Sequence, residues 1–227
     1  MMSEFDKKVV VVTGAAGALG RAVAGHFAAA GARVAQLDVL EIDTDRYSAI
    51  CDLLDPKSCE RAVDAIVEKF GGIDVLANIA GGFTMGQAVH ETTEDTWDFM
   101  MGLNARSVLN MARAVVPVML KGGGGKIINI GAGAGQAGIA QMGAYSASKS
   151  VVIRLTEAMA GELKQQGINV NCVLPSIIDT ERNRQDMPDA DFNLWVRPEA
   201  MARVIGFLAS EAAAPIHGAA LPVSGLS

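Results

Sequence analysis

Tyr145 and Lys149 stand four residues apart in the stretch Gly143-Ala144-Tyr145-Ser146-Ala147-Ser148-Lys149. The stretch reads as helix, so the two side chains share a face. A phenol beside an ammonium can do chemistry. The cation favours the phenolate, and the expectation is a tyrosine whose pKa is lowered enough to trade a proton near neutral pH. The same spacing arises by chance on many helices, where it does nothing. Which reading holds depends on the elements that position the pair.

The first of those elements lies near the start. Lys8 to Thr13 reads as a β-branched strand that runs into Gly14-Ala15-Ala16-Gly17-Ala18-Leu19-Gly20, and Arg21 to Ala30 are good helix formers. A buried strand, a glycine turn and a helix N-terminus make an anion site, because free backbone N–H groups and the helix dipole point at whatever sits above the turn. The expected anion is the pyrophosphate of a nucleotide. A second strand, Arg33 to Leu37, ends in Asp38, where a carboxylate can accept both ribose hydroxyls and would repel a 2′-phosphate. No Arg or Lys stands at positions 15, 16 or 39 to offset it. The expected cofactor is NAD, with NADH preferred over NADPH; the other reading of Asp38 is a solvated turn carboxylate.

Length and composition bound the rest. The chain has 227 residues, half of them hydrophobic, with 25 glycines, which suits a single domain over 1–227 with a large aliphatic core. A net charge of -6 and the lack of a basic run argue against nucleic acid and leave a small-molecule substrate as the expected partner. Cys51, Cys59 and Cys172 are odd in number and lack metal-ligand spacing, so neither a disulfide framework nor a metal site is expected. Met1 to Lys8 carries charge where a signal peptide needs an apolar core, and no later apolar run reaches membrane-span length. No membrane partner and a cytoplasmic location are expected.

Strands and helices alternate along the whole chain, which predicts an α/β fold: a single Rossmann-like domain with a doubly wound, seven-stranded parallel sheet and helices on both faces. With its glycine turn after the first strand and its Tyr-x-x-x-Lys helix, the sequence resembles the short-chain dehydrogenase/reductase family over nearly its whole length. The resemblance implies an NAD(P)-dependent oxidoreductase that moves a hydride to or from a small organic substrate. It assigns cofactor contacts to Gly14, Gly17, Leu19 and Gly20 in the turn, where the usual middle glycine is replaced by Ala18. Further contacts fall on Asp38, on Asp52-Leu53 beside adenine, and on Asn78, Ala80 and Gly81, which match an Asn-Ala-Gly turn. Tyr145 and Lys149 would serve both catalysis and cofactor binding, the lysine holding the ribose. Asn104 interrupts the apolar spacing of a helix read over Glu94 to Met119, and by resemblance it holds a water that relays protons to the lysine; a capping or surface amide is the alternative.

One departure bears on the reaction. Lys126 to Ile130 reads as the fifth strand after a glycine loop at Gly122 to Gly125, and the family carries a serine thirteen residues before its tyrosine. Here that residue is Ala132. The serine hydroxyl orients a substrate oxygen, and losing such a donor costs roughly 3–4 kcal/mol on substrates that need it. Gln136 and Gln141 are candidate substitutes. Quinonoid dihydropteridine reductases, a branch of the family, also lack the serine, and the stretch from Leu174-Pro175 through Asp179-Thr180, Asn183-Arg184, Met187-Pro188 and Ala190-Asp191-Phe192 to Trp195 resembles them. Reducing such a pterin develops no alkoxide, so the serine has nothing to hold. Phe83 or Trp195 could stack on such a ring or could be plain packing.

In the last third, Val151 to Gln166 continues the tyrosine helix and Ile168 to Leu174 reads as a strand ending at Pro175. By resemblance Pro175, Ile178 and Thr180 lie beside the nicotinamide, Thr180 touching its carboxamide. Glu181 to Arg197 is polar and aperiodic and reads as a substrate lid with a short helical turn. Arg182 and Arg184 there either bind an acidic substrate group or form a solvated face. Arg197-Pro198-Glu199 opens a helix, and Leu221-Pro222-Val223 resembles a last strand that supports a homodimer or homotetramer. Two functions fit: an NAD(H)-dependent oxidoreductase acting on a carbonyl, a secondary alcohol or a quinonoid dihydropterin, or a catalytically weak NAD-binding sensor or assembly protein.

Overall fold

A computed structural model describes residues 4–226, so the first three residues of the charged opening segment and the last residue lie outside the described residues. Seven strands run in chain order: β1 (Val9–Thr13), β2 (Arg33–Asp38), β3 (Tyr47–Ile50), β4 (Val75–Asn78), β5 (Gly125–Ile130), β6 (Ile168–Pro175) and β7 (Ala220–Val223). They form one sheet in the order β3-β2-β1-β4-β5-β6-β7, with every pairing parallel. Burial explains the sequence pattern. Val9, Val10, Val11 and Val12 are all buried, as they must be in a central strand covered on both faces.

The helices are α1 (Ala18–Ala29), α2 (Pro56–Phe70), α3 (Glu94–Met100), α4 (Ser107–Gly122), α5 (Gly143–Leu163), α6 (Glu181–Asp186) and α7 (Pro198–Ala209). On one face of the sheet, Val10 and Val12 pack with Val23 and Phe27 of α1 and with Met201 and Ile205 of α7. On the other, Val9 and Val11 pack with Val63 and Ile66 of α2, Met111 and Val115 of α4, and Leu163 of α5. Each such aliphatic side chain, fully buried, contributes about 1.5–3 kcal/mol. The expected doubly wound architecture is the one observed.

Helix boundaries follow local chemistry. Asp55 caps α2 by accepting from the Lys57 N–H at 2.9 Å, Pro56 fills its first turn, and Gly71 ends it in the left-handed region at φ 88°. The helix expected over Glu94 to Met119 is instead three pieces, because Met101–Arg106 is a π-helical turn between α3 and α4. Widening the turn there carries Asn104 inside, where it is 1% exposed. The glycine loop is also shorter than expected: Gly122 ends α4, Gly125 starts β5, and only Gly123 and Gly124, both at positive φ, lie between.

These connections determine where a ligand can sit. The winding direction changes between β1 and β4, whose carboxyl ends lie side by side with Thr13 opposite Asn78. Crevices of this kind outside the carboxyl ends are where open α/β sheets bind ligands. No helix among the described residues is long and apolar enough to cross a membrane.

Candidate active site

The glycine turn sits above the β1 end of the crevice. Gly14 adopts φ +63°, and a Cβ there would lie 2.7 Å from the Ala80 Cα. A Cβ on Gly20 would run into the Gly14 carbonyl, so α1 can start this close to β1 only with glycine at that position. Gly17 precedes the first helical residue, Ala18, without a side-chain cap, which leaves the helix N-terminus to a ligand. Ala18 fits as the first residue of the helix, and Leu19 is buried beneath it.

Asp38 closes the turn from the side. Its Oδ2 accepts from the Ala16 N–H at 2.9 Å and its Oδ1 from the Leu40 N–H at 3.1 Å, so the carboxylate is fixed at the tip of the glycine loop. Asp52 is exposed and accepts from the Leu54 N–H at 2.9 Å, while Leu53 is buried and its carbonyl accepts from Asn110 Nδ2 at 2.8 Å. Glycines without room for a methyl, an open helix N-terminus and a fixed carboxylate suit a dinucleotide, and that chemistry would be held by Gly14 to Gly20, Asp38 and the Asp52-Leu53 wall.

Asn78 is buried at the end of β4; its Nδ2 donates to Asn129 Oδ1 at 2.9 Å, and Asn129 Nδ2 donates in turn to Thr156 Oγ1 at 2.9 Å. This buried chain ties β4 and β5 to α5. Thr13 carries the other side, accepting from the Ile79 N–H at 3.0 Å and the Ala80 N–H at 3.3 Å.

Tyr145 and Lys149 lie on the first turns of α5, facing the same crevice. Lys149 is 4% exposed, and its Nζ donates to the Ile130 carbonyl at 2.9 Å. The ammonium stands 5.9 Å from the centre of the Tyr145 ring. The expected lowering of the phenol is not what this geometry produces: burial pushes Tyr145 up to about 12. The same loss of water pulls Lys149 down to about 8, with Cys172 acting weakly in the other direction. Burial opposes the charged form of each group, and at this separation it outweighs their mutual help.

Asn104 links this helix to the loop after β4. Its Oδ1 accepts from the Gly82 N–H at 2.9 Å, and its Nδ2 donates to the Gly82 carbonyl at 3.1 Å and to Ser148 Oγ at 3.0 Å. Ser148 then donates to the Tyr145 carbonyl at 2.8 Å. This rules out the surface-amide reading of Asn104. A Cβ on Gly81 would lie 2.9 Å from Asn104 Oδ1 and 3.3 Å from Lys149 Nζ, so the missing methyl keeps a small polar space open between them.

Other expected residues are placed less simply. Ala132 is buried in extended backbone, and both Gln136 and Gln141 are exposed. Pro175 ends β6, the Ile178 carbonyl accepts from Asn183 Nδ2 at 2.7 Å, and Thr180 caps α6 by accepting from the Asn183 N–H at 3.2 Å. The segment 181–197 holds two helical pieces where one was expected, α6 and a 3-10 turn at Phe192–Leu194, and a bridge between Ile178 and Val196 closes its base. Arg182 pairs with Asp186 at 2.9 Å, and Arg184 grips Asp179 through two bonds of 2.6 and 2.8 Å, both on an exposed face. Trp195 is buried against Phe192, which leaves no open face for stacking.

Sequence reasoning missed Thr13, Ser148, Asn110 and the Asn129–Thr156 pair. Polar residues inside otherwise apolar strand runs, such as Thr13 and Asn129, were the available signal; Ser148 carried none beyond lying one turn from Tyr145.

Comparison with known proteins is consistent along the chain. The family model described as short chain dehydrogenase matches residues 8–191. The sequence is 34% identical to D-threitol dehydrogenase of Mycolicibacterium smegmatis, covering 97% of this chain and 93% of that protein. It is 35% identical to meso-2,3-butanediol dehydrogenase of Serratia marcescens, covering 97% and 94%. Among solved structures, carveol dehydrogenase from Mycobacterium avium in complex with NAD superposes with a TM-score of 0.88 at 27% identity, covering 98% of each chain.

Proposed function

The chain belongs to the short-chain dehydrogenase family and is an oxidoreductase that works with a nicotinamide cofactor, and from that premise we propose that Tyr145 is its acid and base and that NADH is preferred over NADPH. The observation that carries the proposal is the pair on α5, with buried Lys149 anchored on Ile130 and the turn of half-buried Tyr145 tied through Ser148 and Asn104 to the loop after β4. A bound nicotinamide supplies or accepts the hydride. Tyr145 gives its proton to the substrate oxygen in reduction and takes it back in oxidation. A phenol pushed up to about 12 is protonated across the neutral range, which suits reduction. The Lys149 ammonium stabilises the phenolate that remains after transfer. Asn104 and Ser148 hold the helix and the loop in register.

Preference for NADH rests on Asp38, whose carboxylate is fixed at the loop tip where a 2′-phosphate would meet its charge. The substrate class we favour is a small carbonyl or the matching secondary alcohol, since relatives about one-third identical over nearly the full chain are named for a sugar alcohol and a diol. One observation keeps a second substrate in view. Ala132 presents a buried methyl where the family places a hydroxyl, which is tolerable for a quinonoid dihydropterin because no alkoxide forms.

Consumption of NADH with 2,3-butanedione, a cyclic ketone and a quinonoid dihydropterin tests the proposal. Turnover of the ketones supports the first substrate class, and turnover of the pterin alone supports the second. A protein that binds NADH and turns over none of the three would contradict both.

A further inference from the structure

Phe83 is an aromatic ring whose position the proposed proton transfer does not use. It lies 4.9 Å from Tyr145 between ring centres, at an interplanar angle of 89°, and remains 54% exposed. Covering a half-exposed phenylalanine with an apolar ligand removes surface from water on both sides. Its placement is not slack. The preceding residue, Gly82, is bonded at both N–H and carbonyl by the Asn104 amide, and a Cβ there would lie 3.0 Å from Phe99 and from Leu103. The ring is therefore presented beside the Tyr145 phenol by a backbone clamped on both sides.

The surroundings share its character. Loops leaving the carboxyl ends of β4, β5 and β6 each expose large apolar side chains, namely Phe83 and Met85, then Ile139, then Met187. The first two loops are joined, with the Gly86 N–H bonded to the Gln141 carbonyl at 2.9 Å and Gln87 paired with Met142. At the site itself Ala132 contributes a buried methyl. Thr84, Gln87 and Gln141 stand beside these apolar side chains, so the face offers an apolar planar group a surface together with polar groups at its edge.

We propose that Phe83, held edge-on against Tyr145, is a specificity-determining residue, and that the substrate carries an apolar planar group next to its reacting carbonyl. This rests on the reading of Tyr145 as the acid and base. Burying a planar group on Phe83 removes the exposed ring from water and adds an offset or edge contact. The carbonyl then reaches Tyr145 positioned by the ring, in place of the hydroxyl that Ala132 lacks.

Two α-diketones that differ only by phenyl for methyl, 1-phenyl-1,2-propanedione and 2,3-butanedione, make the test. With NADH, the phenyl compound is expected to have the higher kcat/KM by about tenfold or more, and Phe83→Ala should abolish that preference, read as the ratio of the two kcat/KM values. Phe83→Leu, which keeps the apolar bulk, should retain part of it. NADH affinity and melting temperature of both variants report intact folding. Binding of acetophenone and of butanone to the NADH-loaded Tyr145→Phe protein, measured by calorimetry, separates the two ideas. If wild type turns over neither diketone, the carbonyl substrate class of the proposed function fails, yet tighter acetophenone binding that Phe83→Ala removes would still support the role of Phe83. Equal preference in wild type and Phe83→Ala, by turnover and by binding, would overturn it.

Discussion

Two glycine-rich connections leave this sheet, one after β1 and one after β5, and they solve opposite problems. In Gly14 to Gly20 the glycines let backbone approach backbone, Gly14 against Ala80 and Gly20 against the Gly14 carbonyl, so that α1 begins close above the crevice with its N-terminus open. In Gly131 to Gly135 they let a helix settle onto the sheet. A Cβ on Gly131 would lie 2.6 Å from Leu174 and 2.8 Å from Cys172, and one on Gly135 would lie 2.8 Å from the Lys149 backbone carbon. Between those two, Gly133 faces open space and Ala132 has room for its methyl. The first connection is tight where the cofactor is proposed to bind. The second is tight where α5 packs and loose where a substrate would sit, which is why a hydroxyl could be lost there without disturbing the fold.

The contrast predicts separable defects. Gly20→Ala should force α1 off the Gly14 carbonyl, cost about 1–3 kcal/mol of stability and weaken NADH binding by about a hundredfold, read by fluorescence titration and thermal melting. Gly135→Ala pushes instead on α5 at Lys149; it should lower kcat about tenfold or more while NADH affinity changes by less than about fivefold. If both variants lost binding and turnover alike, the division between the two connections would be wrong. At the edge of the first connection, Asp38→Asn should narrow the NADH preference by about tenfold, measured as the ratio of the two dissociation constants.

Within the second connection, Ala132→Ser should raise ketone reduction by about tenfold, less than the roughly hundredfold that a fully organised donor can supply, and should leave pterin reduction unchanged. The smallest effect concerns the buried lysine. Its folded pKa of about 8 lies below the ordinary 10.5, so between those values the unfolded chain binds more protons and stability rises with pH. The penalty is complete below about pH 8. Against Lys149→Met, wild type should therefore gain about 2 kcal/mol between pH 8 and about pH 10, read from denaturation midpoints. Tyr145 acts in the opposite sense at higher pH, because a folded pKa of about 12 against an ordinary 10.0 makes stability fall across that window.

Much of the fold was legible because a parallel sheet covered on both faces must be written as short apolar runs, as in Val9 to Val12, separated by helices with one apolar face. The glycine turn, Asp38 and the Tyr145–Lys149 pair were legible for the same reason: each needs a residue type at a fixed offset from a strand end. Burial was not legible. Spacing put Tyr145 and Lys149 on one face but could not tell how far the fold would withdraw each from water, so the direction of the phenol's shift came out reversed. Nor could spacing foresee that a π-helical turn would carry Asn104 inward, or that Asn78 would bond Asn129 on the neighbouring strand. Such pairings across the sheet depend on residues 22 to 51 positions apart, and no local pattern announces them.

The most direct test of the account is Tyr145→Phe, with NADH dissociation and ketone reduction measured on the same preparation. The expected result is a dissociation constant within about fivefold of wild type, because phenylalanine keeps the ring and loses only its hydroxyl, and a kcat lower by about a hundredfold or more. A variant that reduces the ketone at the wild-type rate would contradict it.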